Sequence, residues 1–242
     1  MRLTRVHVEE PLQVGQQRTL TGHAAAHIAR VLRLRSGAAL TLFDGSGGEY
    51  AGRVAEIHKG TVRVEVLEHH ALERESPLRL TLCQGISRGE RMDWVVQKAT
   101  ELGVWRIAPL FTRRSVVQLD AQQAERKSQH WRAIAIAACE QSGRNRIPAI
   151  SAPSALHEFL QTGAGGGRVL LSPAARVRLS DVALEGAALS VLIGPEGGLT
   201  QAEQELAAAA GFGAVGLGPR VLRTETAAVC ALTLLQSRFG DL

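Results

Sequence analysis

The sequence predicts an α/β protein preceded by a small, mainly β unit, and three observations lead there. Up to residue 67 the apolar pattern has a period of two, broken by glycine-rich turns. Beyond Pro77 short apolar runs alternate with segments of helical period. Two of those runs, 168–171 and 188–193, are apolar with little interruption, as strands buried on both faces of a parallel sheet are.

In the first part, residues 23–34 read as a short helix, with Ala26, Ile28, Ala29, Val31 and Leu32 apolar and Gly37 beyond its end. Strands follow at 39–43, 49–57 and 61–67. In the last, Val62, Val64 and Val66 face one way and Arg63 and Glu65 the other. Asp44-Gly45-Ser46-Gly47-Gly48 reads as a hairpin turn and Lys59-Gly60 as a second. The charged run Leu72-Glu73-Arg74-Glu75-Ser76-Pro77 reads as a linker.

The second part begins with a strand at 78–85. A helix at 89–102 carries Met92, Val95, Val96, Ala99 and Leu102 on one stripe and is closed by Gly103. A strand at 104–111 precedes a long helix capped by Asp120, with Trp131, Ile134, Ala135 and Ala138 on one face. That helix ends near Gly143, ahead of Pro148. Gly163-Ala164-Gly165-Gly166-Gly167 reads as a flexible loop, not a phosphate-binding fingerprint. Thr200-Gln201-Ala202-Glu203 is a capping box opening a helix that ends at Gly211. A strand at 214–217 and a helix at 224–238 complete the pattern.

Composition narrows the function. The chain has 242 residues, 45% hydrophobic and 21% charged, an ordinary globular mix with room for a sizeable core. No run approaches the roughly 18–20 apolar residues of a membrane span. Met1-Arg2-Leu3-Thr4-Arg5 carries no apolar stretch of a signal peptide. Cys83, Cys139 and Cys230 are far apart, which fits three buried hydrophobes in a reducing cytoplasm better than disulfides or zinc ligands. The histidines lack metal-site spacing, so no metal is expected. The net charge of +5 is uneven: residues 79–146 hold twelve basic groups against six acidic. Such a middle favours a polyanion such as nucleic acid. With only nine aromatics, contact through arginine and phosphate is a better expectation than base stacking.

Two segments carry the chemistry. Val191-Leu192-Ile193-Gly194-Pro195-Glu196-Gly197-Gly198-Leu199-Thr200 is a buried strand running through a glycine–proline bend into a capped helix. Leu217-Gly218-Pro219-Arg220-Val221-Leu222-Arg223-Thr224-Glu225-Thr226-Ala227 repeats the plan, with Thr224 or Thr226 as candidate caps. Glycines let a ligand approach the backbone, and a helix start offers free N–H groups. Arg220 and Arg223 beside a helix start oppose the macrodipole preference, which hints at a functional constraint. Two such bends at strand ends are where ligands of α/β proteins sit, and they suggest a nucleotide-like cofactor. Walker A, Rossmann and nucleophile-elbow motifs are missing.

These two segments resemble motifs of the SPOUT class of S-adenosyl-L-methionine-dependent RNA methyltransferases. Further stretches are similar to one family within it. They are Gly89-Glu90-Arg91-Met92-Asp93, Gln97-Lys98-Ala99-Thr100-Glu101-Leu102-Gly103-Val104, Arg114-Ser115-Val116-Val117, and Ala138-Cys139-Glu140-Gln141-Ser142-Gly143-Arg144 with Ile147-Pro148. His27 with Val31-Leu32-Arg33, and the turn at 45–50, resemble its N-terminal domain. The family is the ribosomal RNA small subunit methyltransferase E family, which methylates N3 of a uridine in 16S rRNA. Leu199 stands where the family often has Phe.

The resemblance implies a PUA-like β-barrel RNA-binding domain at 1–73 and a SPOUT α/β methyltransferase domain with a deep trefoil knot at 74–242. It also implies a cytoplasmic homodimer, with 16S rRNA or the small ribosomal subunit as partner and S-adenosyl-L-methionine as cofactor near the subunit interface. The residues it points to for cofactor binding are Leu171, Ser172, Ile193, Gly194, Glu196, Gly197, Gly198, Leu217, Gly218, Val221, Leu222, Thr226 and Ala227. For catalysis they are Arg220, Arg223, Glu196 and Glu225, either carboxylate being a candidate proton acceptor. For RNA the basic middle offers Arg88, Arg91, Lys98, Arg113, Arg114 and Arg144, with Lys98 and Glu101 also readable as an ordinary i,i+3 pair. A non-catalytic RNA-binding factor and a methyltransferase acting on transfer RNA or a ribose hydroxyl are the competing readings.

Overall fold

The computed structural model describes residues 4–115, 119–162 and 165–242. Val116 and Val117 of one quoted motif, Gly163 and Ala164 of the glycine-rich loop, and the first three residues lie outside them. The chain forms two compact units: residues 1–75 with 136–147, and residues 76–135 with 148–242.

The first unit holds β1 (Arg5–His7), β2 (Gln17–Leu20), α1 (Gly22–Ala26), β3 (Ala39–Phe43), β4 (Glu49–His58) and β5 (Thr61–His70). They form a sheet of order β1-β3-β4-β5-β2. Only β1 runs parallel to its neighbour. The alternation in β5 appears as expected: Val62, Val64 and Val66 are buried with Val54, Leu40, Leu42 and Val6. α1 continues into a wider π-type turn, His27–Val31, whose Ile28 closes the same core. Asp44 shapes the β3–β4 hairpin by accepting from the Ser46 N–H at 3.0 Å and the Leu12 N–H at 2.9 Å.

The boundary between the units falls at 75/76, inside the charged run read as a linker, whose Leu72, Glu73 and Arg74 are exposed, and residues 136–147 group with 1–75. Ion pairs and hydrogen bonds hold them there. The Arg144 guanidinium, whose side chain is 5% exposed, pairs with Glu75. Asn145 donates to Leu72 O at 2.6 Å and accepts from Arg5 at 2.6 Å. Arg74 donates to Gly143 O at 3.1 Å, and Arg5 also pairs with Glu49. Arg144 is thus enclosed by protein and held by Glu75, a structural place that runs against the expected RNA contact. Glu140 accepts from the His7 N–H at 3.1 Å. Burial pushes its carboxyl up to about 7, against the lowering pull of that hydrogen bond and of Arg5.

The second unit holds β6 (Arg79–Gly85), α2 (Glu90–Glu101), β7 (Arg106–Phe111), most of α3 (Ala121–Ser142), β8 (Ala149–Ile150), β9 (Ser154–Ala155), α4 (Leu156–Gln161), β10 (Gly167–Leu171), β11 (Ala188–Ile193), α5 (Gln201–Ala209), β12 (Gly213–Val215) and α6 (Thr224–Phe239). The strands form one parallel sheet of order β12-β10-β11-β6-β7-β8, with β9 also on β7. Leu192, Leu170, Cys83, Ala108 and Leu110 pack with α4 and α5 in one core cluster. Met92, Val95, Val96 and Ala99 are buried on α2, which packs against α6 through a stripe of Ala228, Ala231, Leu232 and Leu235. Asp120 caps α3 by accepting from the Gln123 N–H at 2.8 Å. Cys83 and Cys139 are buried, with thiols pushed up by that burial, whereas Cys230 is half-buried.

Candidate functional site

The C-terminal ends of parallel strands leave N–H and C=O groups without a sheet partner, and loops there can present them to a ligand. Here β10, β11 and β12 each end in such a loop, and the three loops wall one cavity of about 670 Å³. That is within the usual range for a small-molecule site.

The β11 loop is a tight bend. A β-turn is closed by the Gly198 N–H donating to Pro195 O at 2.8 Å. A Cβ on Gly194 would lie 3.0 Å from backbone atoms of Gly198 and Leu199, and Gly198 has φ +69°. Thr200 then caps α5 as a reciprocal capping box with Glu203. Glu203 also accepts from the Arg113 N–H at 2.7 Å, which ties the 112–115 loop to the start of α5. The bend rests on β6: a Cβ on Gly85 would lie 2.5 Å from the Pro195 nitrogen.

The β12 loop meets this bend directly. Thr224, the first residue of α6, donates its hydroxyl to Gly194 O at 2.7 Å. Neither threonine serves as the cap that the sequence suggested. Arg223 occupies the capping position without a side-chain bond, and Thr226 is exposed. Thr224 instead joins the two bends.

Of the residues expected to bind cofactor, Leu171, Ser172, Ile193, Gly194, Glu196, Gly198, Leu217, Gly218, Val221, Leu222 and Ala227 line the cavity. Gly197 and Thr226 do not. A Cβ on Gly197 would meet Arg114 Cβ at 3.0 Å, so this glycine is needed for close approach of the 113–114 loop. Arg220, Arg223, Glu196 and Glu225 all reach the cavity. Sequence reading missed Pro173, Gln204 and the seat formed by Gln84 and Gly85. A buried glutamine and a glycine closing an apolar strand were the available signal.

The charges are unevenly engaged. Glu196 Oε1 accepts from the Arg88 N–H at 3.0 Å and from Arg91 at 2.7 Å. Partial burial raises its carboxyl, but these bonds and its own N–H outweigh that effect and hold it below the ordinary Glu value. Arg91 Nε lies 3.8 Å from Glu225 Oε1, while Glu225 Oε2 is buried without a hydrogen bond among the described residues. Arg114 donates to Gly197 O at 3.0 Å. Arg220 and Arg223 are exposed, and their side chains carry no ion pair or hydrogen bond among the described residues. Arg88 and Arg113 are exposed as well. Lys98 differs, because its ammonium is held by both oxygens of Glu101 at 2.9 Å, one helical turn on.

Comparison with known proteins agrees with this geometry. Residues 74–236 match a family model described as an RNA methyltransferase domain, and residues 20–67 match one described as an RNA methyltransferase PUA domain. A ribosomal RNA small subunit methyltransferase E of Buchnera aphidicola subsp. Schizaphis graminum is 34% identical, covering 100% of this chain and 98% of the relative. The protein of that name from Bacillus subtilis is 31% identical, covering 96% and 93%. A Legionella pneumophila methyltransferase solved in complex with SAM superposes with a TM-score of 0.97 at 40% identity, over 100% of both chains. A ribosomal RNA small subunit methyltransferase E from Neisseria gonorrhoeae, bound to S-adenosyl methionine, superposes with a TM-score of 0.91 at 38% identity, over 99% of each. With its PUA-like N-terminal unit and its cavity at the strand ends of a parallel α/β unit, the chain belongs to the ribosomal RNA small subunit methyltransferase E family of RNA methyltransferases.

Proposed function

We propose that this protein transfers the methyl group of S-adenosyl-L-methionine to N3 of a uridine in 16S ribosomal RNA. In this reading it works as a cytoplasmic homodimer whose second unit carries a deep trefoil knot of the SPOUT class. The observation that carries the reading is the Thr224–Gly194 hydrogen bond, which makes two glycine–proline bends the wall of one cavity. Four arginines and two carboxylates line that cavity.

The residues present fit the cofactor. Gly194 packs against the Gly198–Leu199 backbone in a tight bend with a left-handed Gly198, and both glycines line the cavity with no side chain in the way. Backbone groups of Ile193, Gly194, Gly198, Leu217 and Leu222 would hold adenine, ribose and methionine, with Leu171, Ser172, Gly218, Val221 and Ala227 completing the walls. When bound, S-adenosyl-L-methionine supplies an electrophilic methyl on a sulfonium.

Uracil N3 carries its proton at neutral pH and becomes nucleophilic as it loses it. Glu225 is the better acceptor, since it lines the cavity and accepts no hydrogen bond among the described residues. Glu196 already accepts from Arg88 and Arg91, and its lowered pKa makes it the weaker base. Arg220 and Arg223 stabilise charge gathering on the uracil oxygens. Arg88, Arg91, Arg113 and Arg114 meet phosphates, so RNA affinity falls with salt by roughly 0.7 log units per phosphate per decade for a single strand.

Mass mapping of 16S rRNA from strains with and without this gene tests the reading. One N3-methyluridine should vanish with the gene. Unchanged methylation, or loss at a ribose hydroxyl or in transfer RNA, rejects it.

A further inference from the structure

We propose that Gln84 is a positioning residue for cofactor binding, acting through Thr224. The inference rests on the reading of the cavity as the S-adenosyl-L-methionine site.

Gln84 lies on β6 and is fully buried, yet it does not line the cavity. Gly194 O can only accept, so the single Thr224 hydroxyl proton goes to it, at 2.7 Å. Whatever faces Thr224 Oγ1 must therefore donate. Gln84 Nε2 does so at 2.9 Å and sends its other proton to Gly85 O at 3.0 Å, while Gly194 O itself lies at the long distance of 3.5 Å. The hydroxyl thus has its direction set from behind. Gly85, next in the chain, is the seat on which Pro195 rests. One dipeptide therefore locates the first bend by contact and locks the second to it by a directed hydrogen-bond chain. The arrangement has a cost: Gln84 Oε1 is buried with no hydrogen-bond partner among the described residues. A leucine would fill an apolar strand without that unpaired oxygen, so packing alone does not account for a glutamine here.

The test uses the full chain and S-adenosyl-L-methionine titrated by calorimetry. Gln84→Leu should weaken affinity about tenfold, the loss of roughly one well-placed hydrogen bond. Gln84→Glu adds a readout that packing does not move. A buried carboxylate cannot donate, whereas its protonated form can. Affinity of this variant should therefore recover as pH falls from about 8 to 6, with the unsubstituted protein flat over that range. The Gln84→Leu, Thr224→Val double variant should bind no more weakly than Thr224→Val alone. Wild-type affinity in Gln84→Leu, a Gln84→Glu variant insensitive to pH, or additive losses in the double variant each overturn the inference while the cavity reading stands. Failure of the unsubstituted protein to bind S-adenosyl-L-methionine overturns both.

Discussion

Arginine does opposite work in the two units. In the first, Arg5 and Arg144 have side chains only 2% and 5% exposed and are paired with Glu49 and Glu75. In the second, Arg220 and Arg223 stand exposed at a cavity with no partner among the described residues. A buried guanidinium has lost its hydration and must be matched within the protein, so its carboxylate is structural. An exposed guanidinium keeps its hydration until a ligand replaces it, so an unpaired one at a cavity is available to anionic chemistry. The residue type is the same, and surroundings decide whether its charge is matched within the protein or left open to a ligand.

Two substitutions can break that comparison. Arg144→Ala leaves Glu75 enclosed without its partner and should lower the free energy of unfolding by about 3–5 kcal/mol in urea denaturation. A loss under about 1 kcal/mol means that the pair is solvated and the contrast fails. Arg223→Ala should leave unfolding within about 0.5 kcal/mol and retain S-adenosyl-L-methionine binding. Its methyl-transfer rate should fall about 100- to 1,000-fold, the scale of removing one group that stabilises charge in a transition state. Unchanged turnover assigns Arg223 to the surface.

A carboxylate sharpens the contrast by its pH dependence. Glu140 has its folded pKa pushed up to about 7 from an ordinary 4.5. Below about 4.5 both states hold the proton and nothing is lost. Between about 4.5 and 7 the unfolded chain releases it while the folded one keeps it, so this group's contribution to stability falls as pH rises. Glu140→Gln should flatten that part of the stability profile and raise stability at pH 8 relative to the parent. His27 Nδ1, 3.6 Å from Glu140 Oε2, and Arg5 remain in the variant. An unchanged slope means that the carboxyl is ionised in the folded protein throughout.

What the sequence revealed follows the same division between local and distant causes. β5 and β11 were legible because alternation and a continuous apolar run are written within six to ten residues. The capping box of α5 was legible because caps are local grammar, and the start of α6 because the Gly-Pro bend before it is, although its expected threonine cap is not formed. β1 was not, since Arg5 and His7 look like surface residues until Glu49, Asn145 and Glu140 arrive from 44 to 140 positions away. Arg144 read as an RNA contact for the same reason, its Glu75 lying 69 residues earlier. In the site, the bends could be read, but not the side on which each residue falls. Gly197 turns to Arg114 and Thr226 to the exposed face of α6, while Gln84 stands behind the wall with no local mark.

Lys98 sets the small end of the scale. Of the two readings the sequence allowed, an RNA contact or an i,i+3 pair, the structure forms the pair: the Lys98 ammonium bonds both oxygens of Glu101, with the two side chains 33% and 25% exposed. Such a pair on a helix is worth only about 0.3–0.5 kcal/mol, because water competes for both charges and two long side chains must be ordered. Lys98→Ala should therefore change unfolding by no more than about 0.5 kcal/mol. It should also leave the salt dependence of RNA binding as it is, since a cation already held by a carboxylate displaces few counterions from a phosphate. Arg113 is exposed and its side chain carries no ion pair among the described residues, and Arg113→Ala should reduce that salt slope by about one phosphate. If Lys98→Ala lowers the slope as much as Arg113→Ala does, then Glu101 releases its partner to RNA. Pairing in the free protein would then not separate structural cations from binding ones, and the contrast drawn between the two units would rest on burial alone.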